Sequence, residues 1–228
     1  SEAPLLGQSS AFDLTVASFD NVSFSVTNED NFPRAIHFKP DGTKMYMMGI
    51  SSDSVYQYTL STAWDLSTAS YDNVSFSVSG EDGDPQSIHF KPDGTKMYIL
   101  GNSNDKAYQY TLSTAWDLST ASFDNISFSV SGQEGFGKKF FIGKDGTKMY
   151  MVGLSTETVY QYTLSTAWDL STASFDNVSF STSGEETNPS GIHFNPDGTK
   201  MYIVGNSSDT VYQYTLSTAW DLSTASYD

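Results

Sequence analysis

The sequence predicts an all-β fold, specifically a four-bladed β-propeller of four-stranded antiparallel blades. The stretch YQYTLSTAWDLSTAS occurs four times without change, at 56–70, 108–122, 160–174 and 212–226, with a constant spacing of 52 residues. A fixed period of this size indicates a repeat architecture. Each period contains runs of β-branched and aromatic residues separated by turn residues, and no stretch has helical periodicity.

Each repeat reads as four strands, named A to D. In the first unit they are predicted at 33–38, 44–49, 55–60 and 71–79. The A–B connection is Lys-Pro-Asp-Gly-Thr, in which proline fixes φ early and glycine accepts positive φ later, as hairpin turns require. In strand D apolar and polar residues alternate, which indicates one buried face. The link STAWDLSTAS between C and D has room for one capped helical turn at most.

The ring is predicted to close through the N-terminal segment. The sequence ends at Tyr227-Asp228, where the fourth D strand should begin, whereas residues 19–27 have the D-strand pattern and precede the first A strand. We therefore expect a single propeller domain over 1–228, in which a closing strand at about 17–27 pairs with the last blade of the same monomer. Blades that cannot distinguish their neighbours also permit a swapped or larger ring.

Composition excludes several kinds of partner. The net charge of −16 would repel phosphate backbones and anionic membranes, so nucleic acid is not an expected partner. No apolar run has the length of a membrane span, and membrane insertion is not expected. The chain has no cysteine, which excludes disulfides and cysteine-based metal sites.

The turn and the second strand recur as KPDGTKMYMMG, KPDGTKMYILG, GKDGTKMYMVG and NPDGTKMYIVG, beginning at residues 39, 91, 143 and 195. This pattern resembles the YVTN-type β-propeller repeat, although that family usually has a shorter repeat and more blades. The resemblance implies a secreted, surface-exposed or phage-type propeller, and hence an extracellular or surface location. A resemblance to small propellers also implies that the central channel can hold Ca²⁺ or another ion on backbone carbonyls.

The repeats differ mainly in their D–A and B–C loops, which lie on one face of a propeller. Loops on a rigid scaffold commonly carry function, so this face is predicted to bind a ligand, with drift of exposed loops as the alternative. The third unit departs most, with GFGKKFFIG at 135–143. The candidate ligand-binding residues are Asp30, Arg34, Asp82, Asp84, Phe136, Lys138, Lys139 and Glu186. The acidic rim could also collect Ca²⁺, or simply keep the surface soluble.

Two further sets of residues repeat with the period. His37, His89 and His193 occupy one position of the A strand, where the third unit has Phe141. They are weak candidates for a zinc site near the axis, against a structural role between blades. The tryptophans could stack on sugars beside the aspartates that follow them, or anchor the C–D link under its blade. These residues are Trp64, Trp116, Trp168 and Trp220.

Identical repeats supply the same groups four times, and no nucleophile–base pair is visible, so an enzyme is not expected. The sequence instead predicts a non-catalytic binding or adhesion module whose ligand is a glycan or a protein surface, without a cofactor. The alternative is a structural repeat or assembly unit with no small-molecule ligand.

Overall fold

The computed structural model of the chain describes residues 18–228. It is an all-β propeller of four blades, each a four-stranded antiparallel sheet with the strands in sequential order. Residues 1–17, which include the start of the predicted closing strand, lie outside the described residues. No helix in the described part is long and apolar enough to cross a membrane.

The strands follow the predicted A-to-D order in every repeat. The A strands are β1 (Pro33–Phe38), β5 (Pro85–Phe90), β9 (Gly137–Ile142) and β13 (Pro189–Phe194). The B strands are β2 (Lys44–Gly49), β6 (Lys96–Gly101), β10 (Lys148–Gly153) and β14 (Lys200–Gly205). The C strands are β3 (Ser54–Leu60), β7 (Lys106–Leu112), β11 (Thr158–Leu164) and β15 (Val211–Leu216). The D strands are β4 (Ala69–Ser77), β8 (Ala121–Ser129), β12 (Ala173–Ser181) and the short β16 (Ala225–Tyr227).

The C–D link contains the single helical turn that its length allowed. Each is a three-residue 3₁₀ turn, at Leu66–Thr68, Leu118–Thr120, Leu170–Thr172 and Leu222–Thr224. In the first, Asp65 accepts a hydrogen bond from the backbone N–H of Ser67 at 3.0 Å, which satisfies an otherwise orphan donor. The D strand therefore starts at Ala69, two residues before the predicted Tyr71.

Neighbouring blades pack through three apolar clusters of closely similar composition. In the interface between the first two blades, the Tyr46 hydroxyl donates to the Trp116 carbonyl at 2.6 Å. In the same interface, the backbone N–H of Leu118 donates to Gln57 Oε1 at 2.8 Å. The polar groups of these two contacts are thus paired, as burial requires.

The described part of the predicted closing strand does not pair with the fourth blade. Residues 18–26 have no assigned strand, and β15 pairs only with β14 and β16. Phe24 and Val26 pack instead on the first blade, in a fourth cluster with Met45 and Met47. The N-terminal segment therefore covers the start of the propeller, and ring closure through it stays a prediction.

Candidate functional site

Four acidic side chains of the D–A loops tie these loops to the neighbouring B–C loops. Asp82 is buried, and it accepts hydrogen bonds from the backbone N–H groups of Asp84 at 2.9 Å, Ser103 at 3.1 Å and Asn104 at 3.1 Å. Gly101 leaves the space for it, since a Cβ there would lie 2.2 Å from the Asp82 Cγ. The equivalent residues are Asp30, Glu134 and Glu186, all buried.

Three candidate ligand-binding residues therefore have a different role from the one predicted. Asp30, Asp82 and Glu186 face inward and hold two loops together, so their carboxylates are not presented at the surface. Burial opposes the ionisation of Glu186, but hydrogen bonds from Ser207 and Ser208 outweigh it and lower the pKa of this carboxyl to about 2. Within residues 18–228, no group of three His, Cys, Asp or Glu side chains could hold a metal ion.

The third repeat places a small basic and aromatic patch on the D–A face. The ammonium group of Lys138 lies 4.6 Å from the ring centroid of Phe136, within the range of a cation–π contact. Burial and the neighbouring charge of Arg34 lower the pKa of Lys138, while Asp84 and Glu134 act in the opposite sense. Phe136 is 45% exposed. The fold thus brings Arg34, Asp84, Phe136 and Lys138 together.

The A strands project a row of rings towards the central channel. His37 and His89 have ring centroids 5.4 Å apart, His89 and Phe141 5.4 Å, and Phe141 and His193 5.3 Å. Burial is the main reason that the pKa of His37 falls to about 3, with Lys139 and His193 adding to the shift. The pKa values of His89 and His193 are lowered in the same direction, again mainly by burial. Near neutral pH these imidazoles are therefore uncharged.

The row does not form a zinc site. Phe141 stands between His89 and His193 and contacts both rings edge to face. His37 also stacks on Trp116 and Phe141 on Trp220, with centroids 6.3 Å apart in each pair. Histidine and phenylalanine therefore fill the same packing role, which corrects the metal interpretation of His37, His89 and His193.

Lys139 lies in the channel and not on the loop surface. It lines a cavity of about 280 Å³ together with residues of all four A strands, among them Ile36, His37 and His193. The equivalent positions carry Ala35, Ser87 and Gly191. Among the described residues no carboxylate pairs with Lys139. Burial lowers the pKa of its ammonium group to about 8.

The opposite end of the channel, on the side of the A–B turns, is an apolar cavity of about 430 Å³. Its wall combines the histidine–phenylalanine row with aromatic and proline residues that follow it on each A strand, including Phe38, Phe90, Phe194 and Pro92. Only Lys144 contributes a charged ammonium group to this wall. The described part of the channel is thus largely apolar at the turn face, and Lys139 lies further in.

The tryptophans behave as anchors of the C–D links. Trp116 and Trp168 are 92% covered, and their carbonyls accept the inter-blade tyrosine hydrogen bonds. Trp116 has φ of 63°, a left-handed conformation that is unusual outside glycine. Its indole covers Gly94, where an added Cβ would lie 2.3 Å from the ring nitrogen. Trp220 is half-buried and Trp64 is 61% exposed.

The aspartates that follow the tryptophans are also engaged locally. Asp117 accepts hydrogen bonds from both the backbone N–H and the hydroxyl of Ser119, at 3.0 and 2.6 Å. The same pair of bonds forms at Asp65, Asp169 and Asp221. At three of the four repeats, therefore, the indole and the carboxylate lack the open arrangement that a sugar site needs.

Comparison with known proteins supports the propeller fold. No family model matches the chain, and no curated protein matches it. A putative 6-phosphogluconolactonase from Bacteroides uniformis aligns with a TM-score of 0.58 and 14% identity, over 83% of this chain and 52% of its own. A Lactobacillus plantarum protein aligns with a TM-score of 0.59 and 17% identity, over 86% of this chain and 54% of its own. The Pseudomonas aeruginosa periplasmic gluconolactonase aligns with a TM-score of 0.56 and 15% identity, over 85% of this chain and 55% of its own.

The chain thus spans about half the length of these solved propellers. At such low identity the likeness shows the fold alone, a propeller like that of lactonase-like proteins. It transfers no site residue to this chain.

Proposed function

We propose that the protein is a non-catalytic binding module that holds an anionic group of a glycan at the D–A end of its central channel. The proposal rests on one observation: Lys139 is a partly buried ammonium group without a carboxylate partner among the described residues, in a chain of net charge −16. A buried charge without a partner is costly. A bound carboxylate or sulfate would supply the missing charge.

The surroundings of Lys139 favour an acidic sugar over a free inorganic ion. Lys138 precedes Lys139 in β9, and Arg34 lies close enough to Lys138 to lower the pKa of Lys138. Phe136 adds an exposed ring beside these cations. One cation in the channel and two cations near an aromatic ring at the loop surface suit a ligand that has both negative charge and an apolar ring face. A surface or extracellular setting for such a module is part of the same proposal.

The test is titration calorimetry with a panel of uronate-containing or sulfated oligosaccharides and their neutral counterparts, at low ionic strength. Lys139→Met should weaken binding of the acidic sugars at least tenfold. Lys144→Met, on the opposite face, should leave it unchanged. Affinity should also fall as pH rises above about 8, because Lys139 then loses its proton. Failure of every acidic sugar to bind, or equal affinities for both variants, would refute the proposal.

A structural role in assembly is the second candidate function. The observation that favours it is the exposure, on the first and fourth blades, of apolar residues whose equivalents are buried between the other blades. A module of this kind would bind no sugar and would associate with itself. The calorimetric panel distinguishes the two, because self-association is also compatible with a sugar-binding module.

A further inference from the structure

The three interfaces between blades follow one pattern closely. The tyrosine hydroxyls of β2, β6 and β10 donate to the Trp116, Trp168 and Trp220 carbonyls at 2.6, 2.6 and 2.5 Å. The glutamines of β3, β7 and β11 accept from the backbone N–H groups of Leu118, Leu170 and Leu222 at 2.8 Å each. Each blade is therefore set against the next in nearly the same orientation.

The outward face of the fourth blade has the same groups, but no described residue packs on it as the next blade does in the other interfaces. Val211 is 47% exposed, whereas its equivalent Val159 is fully buried. Tyr202 and Gln213 are the counterparts of Tyr46 and Gln57, yet neither makes the inter-blade hydrogen bond of those residues. An apolar cavity of about 360 Å³ lies on this face. The face is built for a neighbour that the described residues of this chain do not supply.

The first blade has the complementary face, which the described residues cover only in part. Ile36 is 58% exposed, against 1% for its equivalent Ile88. Trp64 is the equivalent of Trp116, whose carbonyl accepts the hydrogen bond from Tyr46, and Trp64 is exposed. β1 packs against β5, β5 against β9 and β9 against β13, but β13 and β1 make no comparable contact. The three interfaces set successive blades at one orientation. With that orientation, the open face of the first blade and the open face of the fourth blade of one chain do not meet.

The described N-terminal residues pack on the same face of the first blade. Phe24 meets Tyr58 edge to face at 5.6 Å, as Phe76 of β4 meets Tyr110 of the next blade at 5.6 Å. The segment is therefore seated as the D strand of a blade that precedes the first one. Conversely, β15 pairs with β16 only from Tyr214 onwards, so its first half has no D-strand partner among the described residues.

We propose that a second copy of this chain docks its first blade on the fourth blade, and that its residues 21–27 pair with the first half of β15. The Trp64 carbonyl of the docked copy would accept from Tyr202, and its Leu66 N–H would donate to Gln213. The two surfaces are matched because three internal copies of the same interface already form. Two chains are the smallest ring that occupies both faces of each.

The experiment uses engineered cysteines, since the chain has none of its own. Ser54 and Ser77 are directly paired in the first blade, and Thr210 and Ser25 are their counterparts at the open edge. The double variant S25C/T210C, oxidised in dilute solution, should migrate as a covalent dimer on a non-reducing gel. The matched control S54C/S77C should form a disulfide within one chain and show that this register permits the bond.

Light scattering provides the second measurement. The expected mass is twice the 25.0 kDa of the chain, and Val211→Asp or Ile36→Asp should reduce it to a single chain without loss of β-sheet signal. Phe136→Asp, an exposed apolar residue outside both faces, should leave the dimer intact. A monomeric wild type, or a disulfide that forms within one chain in S25C/T210C, would overturn the proposal. The second result would instead establish closure by the chain's own N-terminal strand.

Discussion

Removal of the Asp82 carboxylate tests whether the acidic side chains of the D–A loops are structural. Asp82 accepts hydrogen bonds from three backbone N–H groups, those of Asp84, Ser103 and Asn104. It thereby joins the D–A loop to the B–C loop of the same repeat. Asp82→Ala would leave these donors without their acceptor in a partly buried loop.

The expected loss is about 3 kcal/mol of unfolding free energy. A hydrogen bond to a charged group contributes about 1.5–3 kcal/mol when buried, and water that enters the loop offsets part of the loss of three. For a chain of this size, a destabilisation of about 3 kcal/mol corresponds to a decrease of about 6–12 °C in Tm. Asp82→Glu should cost far less, because Glu134 and Glu186 perform the same task in the third and fourth repeats.

Thermal and urea unfolding, followed by near-ultraviolet circular dichroism, would measure both variants. The informative quantity is the difference between Asp82→Ala and Asp82→Glu, since both change the same position. If Asp82→Ala unfolds within 0.5 kcal/mol of the wild type, as a neutral surface substitution would, the loop-tethering role is wrong. The carboxylates of the D–A loops would then again be candidates for binding a ligand.

Three further predictions concern packing and protonation. In the other three repeats a glutamate accepts a hydrogen bond from the tyrosine equivalent to Tyr162, as Glu81 does from Tyr110 at 3.2 Å, whereas the third repeat has Gln133 and the buried Tyr162 hydroxyl has no partner among the described residues. Gln133→Glu should therefore stabilise the chain by about 0.5–1.5 kcal/mol in urea unfolding; an unchanged midpoint would contradict this. His37→Phe should reduce the loss of stability between pH 7 and pH 4.5, by on the order of 2 kcal/mol. The unfolded imidazole binds a proton below about 6.5, whereas the folded one, with a pKa of about 3, does not; equal pH profiles of the two proteins would refute it. Trp116→Ala should cost about 3–5 kcal/mol, and a variant of unchanged Tm would show that the indole is not an anchor.

Much of the fold follows from local pattern in the sequence. Pro40 and Gly42 define the A–B hairpin, and Gly42 indeed has φ of 73°. The alternation in strand D and the constant period together predict four blades of four strands, which the structure confirms. These features depend on neighbouring residues and on backbone conformation, so a single sequence is sufficient to read them.

The roles of individual side chains depended on contacts between distant parts of the chain. The sequence shows that Asp82 lies in a variable loop, but only the fold reveals that the Ser103 and Asn104 N–H groups point at it. Lys139 occupies the same position of the repeat as Ala35, Ser87 and Gly191. This alignment with small residues of the A strands is the sequence feature that could have indicated that Lys139 lies in the channel. Only the structure could show that no carboxylate of residues 18–228 pairs with it.

The sequence by itself therefore determined the architecture, because strands, turns and repeats are local properties of the chain. Only the tertiary structure decided which acids are buried, which tryptophans are covered and which blade faces are left open. These depend on the orientation of one blade against the next, and that orientation is set by packing and inter-blade hydrogen bonds that no local pattern contains.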